Sequence, residues 1–264
     1  MDSEADEELA RDEAQGTAPT PRPAQNAFTA LMAPKPKPKP PASKDRLGLG
    51  AYISSPSSFP ASVVIYHNAD FVAILDKFPK STIHTLLLAR SPAHNLLHPY
   101  EAFKDAAFLA KVQQETVKLR AFVAAELQRR LGQYSGTDAA RQAVLNGDKD
   151  SRDGELPEGR DWGREVKAGV HAVPSMAHLH VHVLSRDMHS GSMKHRKHYN
   201  SFNTPFLVDV ADFPLGEDDE RLRPGGQGYL RTDLRCWRCG RGFGNQFARL
   251  KEHLEEEFMA WRAE

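Results

Sequence analysis

Large apolar side chains are almost absent from the first 45 residues and recur regularly after Leu47, and this step is the strongest feature of the 264-residue chain. The opening stretch holds eight of the 18 prolines, including the alternation Pro34-Lys35-Pro36-Lys37-Pro38-Lys39-Pro40-Pro41. A segment so poor in buryable surface cannot offset its ordering entropy, which predicts a disordered arm over residues 1–45. Within it, Phe28, Leu31 and Met32 of the run 26–32 fall at helical spacing, either by chance or as a short docking motif for a repair protein. After Leu47 the runs 63–66, 71–75 and 85–89 are short, β-branched or apolar, and turn residues separate them, which predicts strands. From Glu101 to Leu131, Phe103, Ala107, Leu109, Val112, Val117, Phe122, Val123 and Leu127 recur every three to four positions and Gly132 follows, which predicts one long helix. Residues 134–166 are polar, rich in Gly and Asp and weakly periodic, as expected of an inserted loop. Strands are predicted again at 171–173 and 179–185, and an amphipathic helix from about Asn245.

Chemistry concentrates in the second half. Seven of the 12 histidines lie between residues 171 and 198, and His178, His180 and His182 alternate with Leu179, Val181 and Val183. In a strand, such alternation puts three imidazoles on one face and the aliphatic side chains on the core side. Three readings compete on the residues alone. Clustered imidazoles commonly bind a metal, they can be an accident of a polar sheet face, or one can attack phosphorus while its neighbours orient it and stabilise charge.

Charge sharpens the picture only when counted by segment. The total is zero, 35 bases against 35 acids, yet residues 1–13 hold seven acids and one base. Residues 22–46 hold six bases and one acid, and 221–251 hold eight bases against Asp233 alone. A basic stretch of that kind binds backbone phosphates without reading sequence. No apolar run approaches the roughly 18–20 residues of a membrane span, and the acidic start lacks the basic and apolar regions of a signal peptide, so no membrane partner and an intracellular location are expected. Cys236 and Cys239, the only cysteines, are spaced for a metal clamp, and after 13 intervening residues His253-x3-Glu257 completes nearly the spacing of a two-Cys, two-His finger. Either Glu257 is the fourth ligand of a structural Zn²⁺, or the site has three ligands and Glu257 belongs to a solvated run of three glutamates.

The run His178-Leu179-His180-Val181-His182-Val183-Leu184 resembles the signature of the histidine triad superfamily of nucleotide hydrolases and transferases. Residues 171–176, the run Asp76-Lys77-Phe78-Pro79-Lys80 with His84, and Lys194 followed by 198–204 narrow the resemblance to the aprataxin family of DNA 5′-adenylate hydrolases, in a fungal-type form. It covers residues 47–264 apart from 134–166. The resemblance implies an α+β fold, the histidine triad (HIT) fold, with an antiparallel sheet and a long helix over residues 46–210. A small zinc-finger DNA-binding domain is implied over 211–264. It implies removal of AMP from nicked or broken DNA bearing 5′-AMP, with related release of nucleotides from other DNA or RNA ends, inside the nucleus. The zinc would be structural and no cofactor would be required for chemistry.

The same resemblance assigns roles. His180 would attack the α-phosphorus to give a covalent His-AMP. His182 and Ser175 would contact phosphate oxygens, and His171 would assist the leaving 5′-phosphate. His178 would fix the strand and the tautomer. Asp76 would hold the ribose hydroxyls, Lys80 and Lys194 would face the phosphates, and His84 is split between packing and support of the site. Zinc ligands would be Cys236, Cys239, His253 and Glu257. Leu49, Ala51 and Tyr52 are candidates to wedge a DNA end. The form expected is one without a forkhead-associated domain before the catalytic region, with phosphopeptide docking absent or replaced by the arm, and Tyr199 stands where animal relatives are expected to carry tryptophan. Two alternatives stay open: a general HIT hydrolase of dinucleotides or adenosine phosphoramidates, and a zinc-finger DNA-binding adaptor with a vestigial triad.

Overall fold

The computed structural model describes residues 45–151, 153–223 and 228–264. The expectations for the Pro/Lys-rich arm and for the 26–32 motif lie outside the described residues. The elements in chain order are α1 (Gly50–Ser54), β1 (Val64–His67), β2 (Phe71–Leu75), β3 (His84–Ala89), α2 (Pro99–Ala102), α3 (Ala106–Leu131) and α4 (Ala139–Leu145). They continue with β4 (Val166–His171), β5 (His180–Ser185), α5 (Arg196–Asn203), β6 (Leu207–Asp209), β7 (Leu234–Arg235), β8 (Gly242–Gly244) and α6 (Phe247–Ala263). Strands β1 to β6 form one sheet in the order β1-β2-β3-β5-β4-β6, every pair antiparallel, as an α+β fold requires.

Period-two alternation gives this sheet two unlike faces. On the back, Phe71, Ala73, Leu87, Val181, Val183, Ala168, Val170 and Val208 pack against Leu109, Val112, Leu119, Val123 and Leu127 of α3. Across the front run three patches. Under α1 lie Val64, Val72, Ile74, Leu86 and Leu88, covered by Leu49 and Ile53. At the other end Leu184 joins Met188, Met193, Tyr199 and Phe202 to Leu234, Leu250 and Leu254 of the tail, so the finger docks by extending the front-face core. Between these apolar patches lie the histidines, in register His182 opposite Leu86 and Gly169. Gly169 has a steric reason: a Cβ there would meet the Val208 carbonyl oxygen at 2.6 Å, which would push β6 off the sheet.

Four sequence expectations need correction. The long helix is broken, because Asp105 caps α3 by accepting from the amides of Ala107 and Phe108, leaving α2 as a separate turn opened by Pro99. Val117 and Phe122 are solvent-exposed, while Glu115 and Thr116 are buried instead. The strand expected at 171–173 is β4, which ends at His171, and His178 precedes β5.

Residues 134–166 are the fourth correction, since they contain α4 and are anchored at Ser135, Asp138, Trp162 and Val166, which are buried, while the described residues of 145–156 stay exposed. Trp162 is buried in the main core, and its Nε1 donates to Asp138 at 2.8 Å. The Arg160 guanidinium lies 4.4 Å over Trp162 and 5.0 Å over Trp261 of α6. Amides of Gly136 and Thr137 donate to the carbonyls of Ala263 and Glu264. The insertion therefore clasps the end of the finger helix.

Candidate active site and metal centre

Three imidazoles of the front patch, His84, His180 and His182, are held by specific partners, and the partners fix their protonation. His180 donates from Nδ1 to the His178 carbonyl at 2.7 Å, so a neutral His180 carries a bare lone pair on Nε2. His84 accepts at Nδ1 from the Lys80 amide, 3.1 Å away, so its own proton is on Nε2. That nitrogen is 3.0 Å from Nδ1 of His182, which must therefore accept. The chain of bonds places the His182 proton on Nε2, and this atom is buried without a hydrogen-bond partner among the described residues. An unsatisfied buried donor of this kind is expensive unless a ligand meets it.

Burial holds all of these rings in the neutral form. It lowers His84 to about 4, with the Lys80 charge acting in the same direction and Asp76 opposing. His171 and His182 lie well below the ordinary histidine value because of burial, reinforced by neighbouring imidazoles and by Lys80. His180 and His178 are lowered by burial too. His171 lies tilted with its ring centroid 4.3 Å from that of His182 and against Phe202 and Phe206, and its Nε2 is a second buried atom without a partner among the described residues.

The other expected residues are distributed around this core. Asp76 is tied by Oδ1 to the Phe78 amide and lies 3.5 Å from His84 Nε2, so it is seen bracing His84. Lys80 is 2% exposed and donates from Nζ to the Phe78 carbonyl. Ser175 is buried in the 172–179 loop. His178 is buried with its ring against Gly50, where a Cβ would come within 3.0 Å of it. Lys194 is exposed, and its amide donates to His198 Nδ1. Of the wedge candidates, Leu49 is core, Tyr52 stacks on Phe59 at 4.5 Å and only Ala51 is exposed. Two supporting residues carry no sequence signal of their role. Arg46, which reads as the end of the basic arm, donates to the Ser175 and Pro174 carbonyls and accepts the Ala177 amide, clamping the catalytic loop. Phe202 presents its edge to His84 and His182.

In the tail, the β7–β8 hairpin and α6 bring Cys236, Cys239, His253 and Glu257 together, with one ligand atom from each within 4.8 Å of all the others. Cys239 Sγ and Glu257 Oε1 are each 3.1 Å from His253 Nε2. Those separations are close to the roughly 3.3–3.8 Å edges of a tetrahedron with bonds of about 2.0–2.3 Å, and two thiols, an imidazole and a carboxylate are a donor set that fits Zn²⁺. Glu257 is buried at the cluster, apart from its exposed neighbours Glu255 and Glu256, as a fourth ligand would be. Not every base of the 221–251 run is available to a partner: Arg221 pairs with Asp219 and Asp212, and Arg238 with Glu257 and Glu264.

An antiparallel sheet backed by one long helix, with ordered imidazoles on its open face and a Cys-Cys-His-Glu finger docked beside them, defines a histidine triad protein with an appended zinc finger. The HIT domain family model matches residues 60–189, and the C2HE / C2H2 / C2HC zinc-binding finger matches 203–260. The chain is 36% identical to the aprataxin-like protein of Saccharomyces cerevisiae over 221 residues, 81% of this chain and 95% of that one. With the aprataxin-like protein of Schizosaccharomyces pombe it shares 34% over 220 residues, 82% of each chain. The crystal structure of the aprataxin orthologue Hnt3 in complex with DNA superposes with a TM-score of 0.64 at 34% identity, covering 82% of this chain and 96% of that one. The chain belongs to the aprataxin family, the DNA-repair hydrolases of the histidine triad fold.

Proposed function

We propose that the protein removes AMP from 5′-adenylated DNA through His180. The observation that carries this reading is the bond order of the imidazole chain: a bare lone pair on His180 Nε2 beside a proton on His182 Nε2 that has no partner. The first attacks the α-phosphorus and the second meets the non-bridging oxygen on which negative charge grows. A P–N bond forms as the anhydride P–O bond breaks, and the DNA 5′-phosphate departs. Water then adds to phosphorus, releasing AMP and restoring neutral His180. Ser175 contacts the same phosphate, Asp76 holds the ribose hydroxyls, and Lys80 and Lys194 face the phosphates.

His171 has a conditional role. Its bond to the Ser201 backbone favours the charged ring, the sense expected of a carbonyl acceptor, which leaves Nε2 as a lone pair in the neutral form. It can donate to the leaving phosphate only after taking up a proton, and the negative charge of bound substrate favours that uptake. Cys236, Cys239, His253 and Glu257 hold a Zn²⁺ whose contribution is to tie the finger together, and the exposed bases of the tail bind backbone phosphates, in keeping with the DNA held by the Hnt3 relative. Action at DNA breaks goes with a nuclear location and with contact of residues 26–32 to a repair protein. The intact His171, Ser175, His180 and His182 set favours an enzyme over an adaptor, and the basic tail favours a polymer substrate over free dinucleotides.

The test incubates the full chain with a nicked duplex bearing 5′-AMP and, separately, with diadenosine substrates. Faster turnover of the duplex is expected. His180→Ala should lose about 10⁴-fold or more in turnover, form no adenylyl-protein and keep its circular dichroism. Residual activity near wild type in that variant would sink the mechanism.

A further inference from the structure

A second charged site lies on the same face of the sheet, outside the triad. It is a cleft of about 570 Å³ between the β4 edge and the first strand of the finger. Lys167, Arg164, Arg186 and Arg235 line it, against one carboxylate, Asp209. Its bases come from β4, from the end of the insertion, from the segment after β5 and from β7, so the cleft is complete only with the finger docked.

The charges are largely uncompensated. Arg164 pairs with Asp161, and Asp209 is 3.9 Å from Arg120 of α3. Arg186 lies 5.3 Å over the Trp237 ring, and among the described residues neither Arg186 nor Arg235 forms an ion pair. Lys167 donates to the Phe202 carbonyl and to Asn203 Oδ1, which leaves one of its three protons for a ligand. Burial, with the like charge of Arg186 adding to it, lowers Lys167 to about 8. Three cations gathered around one cavity repel each other, and an anion among them relieves that repulsion.

Resting on the function proposed above, we propose that this cleft holds a backbone phosphate of the nucleic-acid substrate, away from its adenylated end. Lys167 is four residues from His171 along β4, roughly 13 Å. At 3.4 Å per base pair that is about four base pairs along a duplex axis. A diadenosine substrate bound at the triad carries no backbone phosphate four base pairs from the reacting one, whereas a nicked duplex does.

The experiment compares the full-length protein with the R186S/R235S variant. Affinity for a fluorescent nicked duplex is measured by anisotropy between 50 and 200 mM salt, alongside turnover of diadenosine substrate. The variant should bind the duplex about tenfold more weakly, with the slope of log affinity against log salt reduced by about one to two, and turn over diadenosine at the wild-type rate. R186K/R235K, which keeps the charges, should retain the slope. Unchanged affinity and slope in R186S/R235S would overturn the proposal, as would a parallel loss of diadenosine turnover or a loss of slope in the lysine variant. A third arm titrates inorganic phosphate alone by calorimetry. Phosphate binding lost in R186S/R235S while duplex affinity stays unchanged would make the cleft a free-anion site and overturn the assignment to nucleic acid. Were the wild type to bind duplex yet fail to hydrolyse its adenylate, the functional reading would fall while the binding comparison still stood.

Discussion

Two clusters in this protein look alike by distance and differ in chemistry. Asp76, His84 and His182 bring ligand atoms within 4.8 Å of one another, as do Cys236, Cys239, His253 and Glu257. In the first, both nitrogens of His84 are already committed, one accepting from the Lys80 amide and the other donating to His182. To ligate a metal His84 would have to give up one of those bonds. In the second, two thiols, an imidazole and a carboxylate converge, and the backbone hydrogen bond that Cys239 accepts from Arg241 leaves its sulfur able to ligate; soft donors of that kind select zinc. Proximity of ligand types is therefore a weak signal by itself, and the hydrogen bonds already made decide what each cluster does.

The largest effect that tests this contrast is expected at His84. If its role is to fix the His182 tautomer, His84→Ala should lower kcat by about 10²–10³-fold with little change in KM, the range seen when one transition-state donor is lost. Single-turnover kinetics would show the loss in formation of the adenylyl-protein. A variant that retained wild-type kcat would leave the chain of imidazoles without a function.

Removal of metal should act oppositely. Cys239→Ser, or exhaustive chelation, is expected to abolish zinc content by elemental analysis and to lower Tm by about 10 °C, a few kcal/mol in a domain of this size. Diadenosine turnover below the new Tm should persist. Loss of that turnover before any loss of finger structure would mean that metal serves the imidazole cluster as well.

How much of this was legible in the sequence follows the same division between pattern and partners. Strand β2 is where the 71–75 run places it, and β5 follows from His-apolar alternation, because both faces of those strands have consistent polarity. Strand β4 was largely missed because its front face carries Lys167 in the cleft, Gly169 against β6 and His171 at the triad, so no apolar period appears. The 134–166 segment reads as loop because its buried anchors are polar or isolated. Asp138, Arg160 and Trp162 are satisfied by hydrogen bonds and ring contacts that hydrophobic periodicity does not report. Arg46 was invisible as a clamp because its partners lie 128 and 129 residues away. The imidazoles were legible as a set, whereas the direction of each proton depended on the Lys80 amide and the His178 carbonyl.

Acid sharpens the contrast next. The folded state keeps His84 neutral down to about pH 4, and burial holds His171 and His182 well below the ordinary histidine value too, whereas the unfolded chain protonates all three near 6.5. Below about pH 6.5 the unfolded state therefore binds more protons, and stability falls as pH drops; above it these rings contribute no slope. His84 alone accounts for about 3 kcal/mol by pH 4. Denaturant melts between pH 7 and 4.5, with zinc content followed in parallel, should show a shallower decline in His84→Gln than in wild type. Equal slopes would show that the buried imidazoles are not what acid attacks.

The smallest expected effect concerns the joint between the two regions. Tyr199 of α5 donates from its hydroxyl to the Arg235 carbonyl and accepts the Trp237 amide, each at 2.8 Å, so one phenol oxygen fixes the segment around Cys236 to the helix that packs on the triad. An indole in its place could donate but could not accept, which gives the residue a physical role at this position. Tyr199→Phe keeps the ring in the shared core and removes both bonds, leaving the Trp237 amide and the Arg235 carbonyl to find other partners. A destabilisation of about 1–2 kcal/mol is expected, with diadenosine turnover unchanged and duplex affinity reduced, because the cleft bounded by Arg235 depends on finger placement while the imidazole chain does not. If Tyr199→Phe instead slowed diadenosine turnover as much as it weakened duplex binding, the triad and the finger would have to be treated as one site.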